Sequence, residues 1–341
     1  MSVPNIVFID TCIFDEARYN FDSEKMKAFL NAAEKVKLIL LLPITTQHEV
    51  LLHLDEKQEE VIKALEDVRH KVPFITKWKD WPVKKEYDIK NELRLITSKE
   101  WNNFLSRLTV IKLDYSDLKI EQVMSWYFDQ LPPFVKGHKE FPDAISIALV
   151  LEHARKNDCN IAIVSADGGV QEACQRFPEL LRFPNLPAYT EALLASDSRV
   201  DLVRATISKD TSQLKQAITN EFPYRGFYLR ENPLGHVDEV QANTVTITDI
   251  KIIAVGDKQA TIAFEALVKY SAYIEYYDAD IAEVYRSENF YMADREKVGS
   301  VTDEVDISGS AKLTFSNNWN VATQIELLQI DQIDIGINPM L

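Results

Sequence analysis

The chain has 341 residues, of which 46% are hydrophobic, and this length and composition allow two domains with cores of their own. Its formal net charge of −15, from 38 Lys and Arg against 53 Asp and Glu, excludes a generally basic nucleic-acid coat protein. No apolar run approaches the ~18 residues of a membrane helix, and the N-terminus lacks a signal-peptide pattern. We therefore expect a cytoplasmic protein that makes no contact with a membrane.

Apolar strands alternate with helices through the first part of the chain. The segments "NIVFID", "KLILLLP", "LTVIKLD" and "CNIAIVSAD" are typical of buried strands. Helices are predicted to begin at Ser23, at Thr46 (running to Arg69), at Ser116, at Pro142 and after "SAD". Such alternation predicts a parallel sheet covered by helices, that is, a three-layer α/β domain.

The pattern changes near residue 196. Four later segments alternate polar and apolar residues, which predicts antiparallel strands; they are "TVTITDIKIIAVG", "QATIAFEALVKYSAYIEYYD", "AKLTFSNN" and "WNVATQIELLQIDQIDIGI". We therefore predict an α/β domain in residues 1–195, with an insertion at about 70–107, and a smaller β-rich α+β domain in residues 196–341. The second domain holds 13 Lys and Arg against 23 Asp and Glu, which argues against a nucleic-acid surface there. It is expected to sense, to bind an inhibitor or to form a homo-oligomer.

Four acidic residues occupy positions where a parallel α/β sheet places its ligands, beyond the carboxyl ends of the strands. Asp10 ends the first strand, Asp167 follows the last clear strand, Glu49 lies early in the helix after the second strand, and Asp143 lies in the first turn of its helix. Carboxylates packed together repel one another. A hard divalent cation such as Mg²⁺ or Mn²⁺ relieves that repulsion.

Each acid also has an ordinary structural explanation. Asp10 and Asp167 suit turns, Asp143 suits the positive end of a helix dipole, and Thr46 with Glu49 fits a helix capping box. His53 shares a helix face with Glu49, so it is either a group near the leaving oxygen or an ordinary surface histidine. Three cysteines fit no metal-ligand spacing and are expected to be reduced, small and buried.

Four motifs together resemble those of the PIN-domain family of metal-dependent nucleases, over about residues 3–190. They are "FIDTCIF", "PITTQHEV", "KEFPDAISIALVLEHA" and "IAIVSADGGV", and they are most similar to a bacterial PIN-like subfamily of unknown function. The resemblance implies that Asp10, Glu49, Asp143 and Asp167 bind the metal. It also implies that the hydroxyls of Thr11 and Ser165 support the ligands or the phosphate. The "SADGG" segment departs from relatives that carry a further acid or Asn there, which implies fewer ligands.

The resemblance further implies an Mg²⁺- or Mn²⁺-dependent endonuclease that cleaves RNA in preference to DNA and acts as a toxin or defence effector. A structure-specific DNA nuclease with the same site is one alternative. A catalytically inactive PIN-like scaffold, with the β-rich domain as the working part, is another. All three remain open at the level of the sequence.

Two basic segments are candidates for binding the nucleic acid. The segment from His70 to Lys99 contains eight Lys and Arg with Trp78, Trp81 and Tyr87 between them, and such residues neutralise phosphates and stack on bases. Its alternative is a solvated helical pair anchored to the body by its tryptophans. The second group stands just before Asp143 and comprises Lys136, His138 and Lys139, with Glu140 as a further ligand candidate.

Overall fold

The structure is a computed structural model that describes most of the chain and divides it into two units, Met1–Leu193 and Leu194–Leu341. The described residues are 3–79, 86–134, 141–229, 236–277, 296–316, 319, 321–331 and 335–337. Among them, no helix combines the length and apolarity needed to cross a membrane.

The first unit is built on a five-stranded sheet in which every pairing is parallel and the strand order is 3-2-1-4-5. The strands are β1 (Ile6–Ile9), β2 (Ile39–Pro43), β3 (Thr109–Leu113), β4 (Ile161–Val164) and β5 (Leu180–Phe183). The predicted parallel α/β class is confirmed. β5 was not predicted, since a four-residue strand that contains Arg182 gives no clear apolar run.

Eight helices are seen among the described residues of this unit. They are α1 (Thr11–Glu16), α2 (Glu24–Val36), α3 (Ile44–Lys71), α4 (Glu86–Ser106), α5 (Ile120–Phe128), α6 (Phe141–Lys156), α7 (Gly168–Arg176) and α8 (Leu186–Leu193). Short 3₁₀ turns occur at Pro73–Lys77 and Tyr115–Asp117. The predicted insertion thus corresponds to the end of α3, a 3₁₀ turn and α4.

The sheet buries both of its faces, because successive side chains of a strand point to opposite sides. Val7 and Ile9 of β1 join a core with α2, α4 and α8, whereas Phe8 joins a second core with α5, α6 and α7. Three layers result, with β1 at the centre of the sheet. A polar residue directly after β1 therefore lies in the middle of the carboxyl edge.

In the second unit, the described residues form a core between two helices and a four-stranded antiparallel sheet of order β10-β9-β8-β7. Its elements are α9 (Ser198–Lys209), α10 (Ser212–Glu221), β6 (Phe227–Leu229), β7 (His236–Val255), β8 (Gln259–Tyr277), β9 (Glu296–Phe315), β10 (Ala322–Ile330) and β11 (Ile335–Ile337). β6 and β11 form a separate parallel pair, and a 3₁₀ turn covers Phe222–Tyr224. The predicted antiparallel, β-rich second part is confirmed.

The β9 strand contains two glycines in contrasting surroundings. A Cβ on Gly309 would lie 2.5 Å from the backbone oxygen of Gln329 and 2.7 Å from the ring of Phe264, whereas a Cβ on Gly299 would meet nothing within 4 Å. Backbone cannot move aside as a flexible side chain does. Gly309 therefore permits the close approach of β8, β9 and β10.

We expect Gly309→Ala to destabilise the second unit by about 1–3 kcal/mol, because overpacking displaces backbone and core side chains. Gly299→Ala in the same strand is the matched control and should leave stability unchanged or raise it. Urea unfolding of the full chain, followed by circular dichroism, measures both. Equal midpoints for the two variants would contradict the close packing at Gly309.

Candidate functional site

The Asp10 carboxylate lies where β1 ends and α1 begins. Its backbone N–H donates to the oxygen of Val164 at 3.0 Å, which continues the pairing of β1 with β4. Its side chain caps α1 by accepting from the Thr11 N–H at 2.8 Å. Only 7% of the residue is exposed. The predicted turn-capping role is therefore real, but it uses one of the two carboxylate oxygens.

The second oxygen of Asp10 accepts two further hydrogen bonds. Ser165 Oγ donates to Oδ2 at 2.6 Å, and the Cys12 thiol donates to the same atom at 3.2 Å. Burial raises the pKa of Asp10 above its ordinary value, these three hydrogen bonds oppose that rise, and the charge of Asp167 adds to it. Asp10 is thus a buried carboxylate whose negative charge is held at a cost.

Cys12 is a contact of the site that the sequence analysis missed, because free cysteines usually pack as small apolar groups. Burial, followed by the charge of Asp10, raises the pKa of its thiol to about 12. The thiol therefore stays protonated and acts as a donor. The available signal was its position two residues after Asp10, in the first turn of a helix.

Ser165 connects Asp10 to Asp167. Its Oγ, which donates to Asp10, also accepts from the backbone N–H of Asp167 at 3.0 Å. Asp167 caps α7 by accepting from the Val170 N–H at 2.8 Å. Position 169 requires a glycine, because a Cβ there would lie 2.9 Å from the backbone oxygen of Pro133. The "SADGG" segment is therefore shaped by a close approach of two backbone segments.

Thr11 connects Asp10 to Glu49. The Thr11 hydroxyl donates to Glu49 Oε2 at 2.9 Å, so α1 and α3 are joined side by side. The predicted capping box is wrong, because α3 begins at Ile44 after Pro43 and has no side-chain cap. Thr46 instead shares a polar contact with another helix.

That contact lies between the first turns of α3 and α6. The buried hydroxyl of Ser146 lies 2.6 Å from that of Thr45 and 3.2 Å from that of Thr46. Asp143 stands one turn before Ser146, so both residues lie on the same face of α6. Glu49 stands one turn after Thr45 and Thr46. The structure therefore brings all four predicted acids to the carboxyl edge of the sheet.

The side chains at this edge suit a hard divalent cation, because the carboxylates and hydroxyls offer oxygen atoms as ligands. The positions of these side chains are less favourable for binding a metal ion. Within the described residues, no three Asp, Glu, His or Cys side chains converge as a metal-binding group. Ser165 connects Asp10 to Asp167, and Thr11 connects Asp10 to Glu49, so three of the four acids are related through intervening residues. The donor chemistry therefore fits such a cation, while the described side chains do not form a closed shell for one.

Some predicted residues cannot be placed. Lys136, His138, Lys139 and Glu140 fall in 135–140, outside the described residues. They directly precede α6 in the sequence. Because the structure does not describe them, their roles stay predictions.

His53 has partners within its own neighbourhood. Its Nδ1 lies 2.9 Å from an oxygen of Asp15 and 3.0 Å from the Tyr19 hydroxyl. Burial, and then the charge of Asp15, raises the pKa of Tyr19 well above its ordinary value, so the phenol remains protonated. The pair Asp15–His53 lies one helical turn from the pair Thr11–Glu49. It strengthens the contact between α1 and α3.

Comparison with known proteins identifies one family. Neither curated proteins nor solved structures gave a match. The sequence profile of the PIN domain matches residues 7–169, slightly less than half of the chain. The matched part runs from β1 to the start of α7 and includes Asp10, Glu49, Asp143 and Asp167. It covers four of the five strands of the parallel sheet, β1 to β4, together with their carboxyl edge, and the N-terminal unit of this chain is therefore a PIN domain.

Proposed function

We propose that this protein is a divalent-metal-dependent endonuclease that hydrolyses phosphodiester bonds at the carboxyl edge of its first sheet. PIN domains are generally nucleases, which supports a nuclease-type function. The observation that carries the proposal is the buried carboxylate of Asp10, held by Thr11, Cys12 and Ser165 in the middle of that edge. A buried charge that burial disfavours is typical of a functional group.

The proposed ligands of Mg²⁺ or Mn²⁺ are Asp10, Glu49, Asp143 and Asp167. When bound, such a cation supplies a water of lowered pKa and stabilises the charge that develops on a phosphodiester. The residues of the chain supply the geometry. Ser165 fixes the spacing between Asp10 and Asp167, and Thr11 fixes Glu49 against Asp10.

The substrate is proposed to be RNA in preference to DNA, and the preference rests on the resemblance to the family. A toxin or defence role rests on the same basis, and a cytoplasmic location is also part of this proposal. The residues Lys136, His138 and Lys139 are proposed to contact the phosphates beside α6. The β-rich unit is proposed to oligomerise or to regulate the nuclease unit.

We expect Asp10→Asn to lower the rate of RNA cleavage with Mn²⁺ by at least ~100-fold, the cost of losing one central electrostatic group. Asp22→Asn removes an exposed carboxylate of the same unit and should retain full activity. The assay uses purified full chain with single-stranded RNA, tRNA and flap DNA in parallel. Faster cleavage of flap DNA would establish the DNA nuclease instead. No cleavage of any substrate, with wild type and Asp10→Asn alike, would disprove the proposal.

Cation binding is measurable without activity. Because folding raises the pKa of Asp10, the ionised carboxylate opposes folding at pH 7.5, above its unfolded value. Asp10→Asn should therefore unfold at a higher temperature than wild type in EDTA. A cation at 100 times its Kd stabilises by ~2.7 kcal/mol, so Mn²⁺ should raise the melting temperature of wild type and of Asp22→Asn, but not of Asp10→Asn. Equal shifts in all three would favour the inactive scaffold.

Ser165→Ala should lower activity by about 10- to 100-fold, as is typical when a residue that orients a metal ligand is removed. Because the alignment of Asp10 is lost while its charge remains, the half-saturating Mn²⁺ concentration should also rise. Ser106→Ala removes an exposed hydroxyl that contacts only its own helix and is the matched control. An unchanged Mn²⁺ requirement in Ser165→Ala would contradict the positioning role.

A further inference from the structure

Helices α3 and α4 form a long antiparallel pair whose far end lies well away from the sheet. α3 has 28 residues, so at 1.5 Å per residue it is about 42 Å long. Trp101 and Phe104 of α4 are buried and anchor the near end of the pair in the core. We call the opposite end, Arg69–Lys79, the arm tip. It consists of the last turn of α3, the 3₁₀ turn that follows and the next two residues, Trp78 and Lys79.

The arm tip concentrates positive charge in an acidic protein. It contains Arg69, Lys71, Lys77 and Lys79, all of them exposed, and it contains no Asp or Glu. None of these four forms an ion pair with any other residue that the structure describes. No described residue therefore neutralises these four charges, which are available to an anionic partner.

Cationic residues in the middle of the α3–α4 pair, which we call the arm, do form ion pairs. Lys90 is paired with Glu59, and Arg94 lies 3.8 Å from an oxygen of Asp55, so they join α4 to α3. The positive charges in the middle of the arm therefore stabilise the contact between the two helices. The contrast separates the arm tip from an ordinary solvated helix face.

Two large aromatic side chains are exposed at the arm tip. Phe74 is 70% exposed and Trp78 is 58% exposed. The expected anchoring of the arm by its tryptophans is thus wrong for Trp78, whereas Trp101 does anchor it. Exposed aromatics cost free energy in water unless a partner covers them. Aromatic rings beside cations provide the stacking surfaces on which unpaired bases bind.

We propose that the arm tip binds single-stranded nucleic acid, with Phe74 and Trp78 stacking on bases and the four cations contacting phosphates. The inference rests on the proposed function, since it describes how the same nuclease holds its substrate. Lys71 follows Glu49 by 22 residues on one continuous helix, which places them ~33 Å apart. That span corresponds to about ten nucleotides at a rise of ~3.4 Å each.

Binding is measured as the fluorescence anisotropy of labelled 20-nucleotide poly(U) and poly(dT), with a 20-base-pair duplex for comparison. The protein is the full chain carrying Asp10→Asn, in EDTA, so that no cleavage occurs. We expect Trp78→Ala and Phe74→Ala each to weaken single-strand binding at least five-fold, because base stacking is lost. Phe128→Ala, which removes an exposed aromatic elsewhere in the unit, should change nothing.

Salt dependence tests the charges. Removing both Lys77 and Lys79 by substitution with Ala should reduce the slope of log K against log salt by about 1.4, or ~0.7 per lost phosphate contact. Substituting Lys209 and Lys215 of the second unit with Ala is the matched control and should leave the slope unchanged. Comparing poly(U) with poly(dT) shows which sugar the arm tip prefers.

The inference is overturned if the arm-tip variants bind both oligonucleotides as the parent protein does. It is equally overturned if they alter the sedimenting mass of the protein while leaving oligonucleotide binding unchanged, because the tip is then a protein contact. The two proposals fail separately. If wild type cleaves RNA and the arm-tip variants cleave and bind as wild type does, the inference fails and the proposed nuclease function stands. If oligonucleotide binding depends on the arm tip but wild type cleaves nothing, the proposed nuclease function fails and the inference stands.

Discussion

The site depends on one constraint: a carboxyl group is buried at the centre of a sheet edge. A carboxylate without partners there would cost several kcal/mol or become neutral. Three donors reduce this cost for Asp10 without removing it, namely the Thr11 N–H, the Cys12 thiol and the Ser165 hydroxyl. Each donor is positioned by a different requirement of the fold. The cap of α1, the first turn of α1 and the end of β4 all meet at one side chain.

The same constraint explains the hydroxyls around the site. Ser165, Thr11, Thr45 and Ser146 are all buried, and buried hydroxyls must find partners. They do so with carboxylates, with a backbone N–H and with one another. These contacts hold the first turns of α1, α3 and α6 at the same edge as the ends of β1 and β4. Acidic side chains on those turns therefore lie at the same edge of the sheet.

Much of this arrangement could be predicted, because the apolar segments that form a parallel sheet are visible in the sequence. Asp10 and Asp167 directly follow such segments, and this is why their position at the edge followed from chain order alone. Short elements were harder: α1 and β5 have six and four residues, too few to show a period. The capping box at Thr46 was wrong because α3 begins two residues earlier, at Ile44, which leaves Thr46 inside the helix and in contact with Ser146.

Sequence patterns did not specify which atoms Cys12 and Thr11 contact. A thiol that donates to a carboxylate has the same sequence signature as a thiol packed in a core. The partner of Thr11 is 38 residues away on another helix, and no spacing rule relates the two. What the sequence indicates well is which backbone position a group occupies. What it does not indicate is the direction of the side chain, which depends on neighbours brought in by the fold.

The strand order 3-2-1-4-5 has a consequence for the timing of folding. β1 is made first, yet one of its two neighbours is β4, and Ser165 is 155 residues from the carboxylate to which it donates. Contacts of such long separation form late, because a large loop must close before they contribute. A nascent or truncated chain that ends before β4 therefore holds Asp10 without its strongest donor. Synthesis of nearly the whole first unit must precede assembly of its centre, so an unfinished chain carries no organised site.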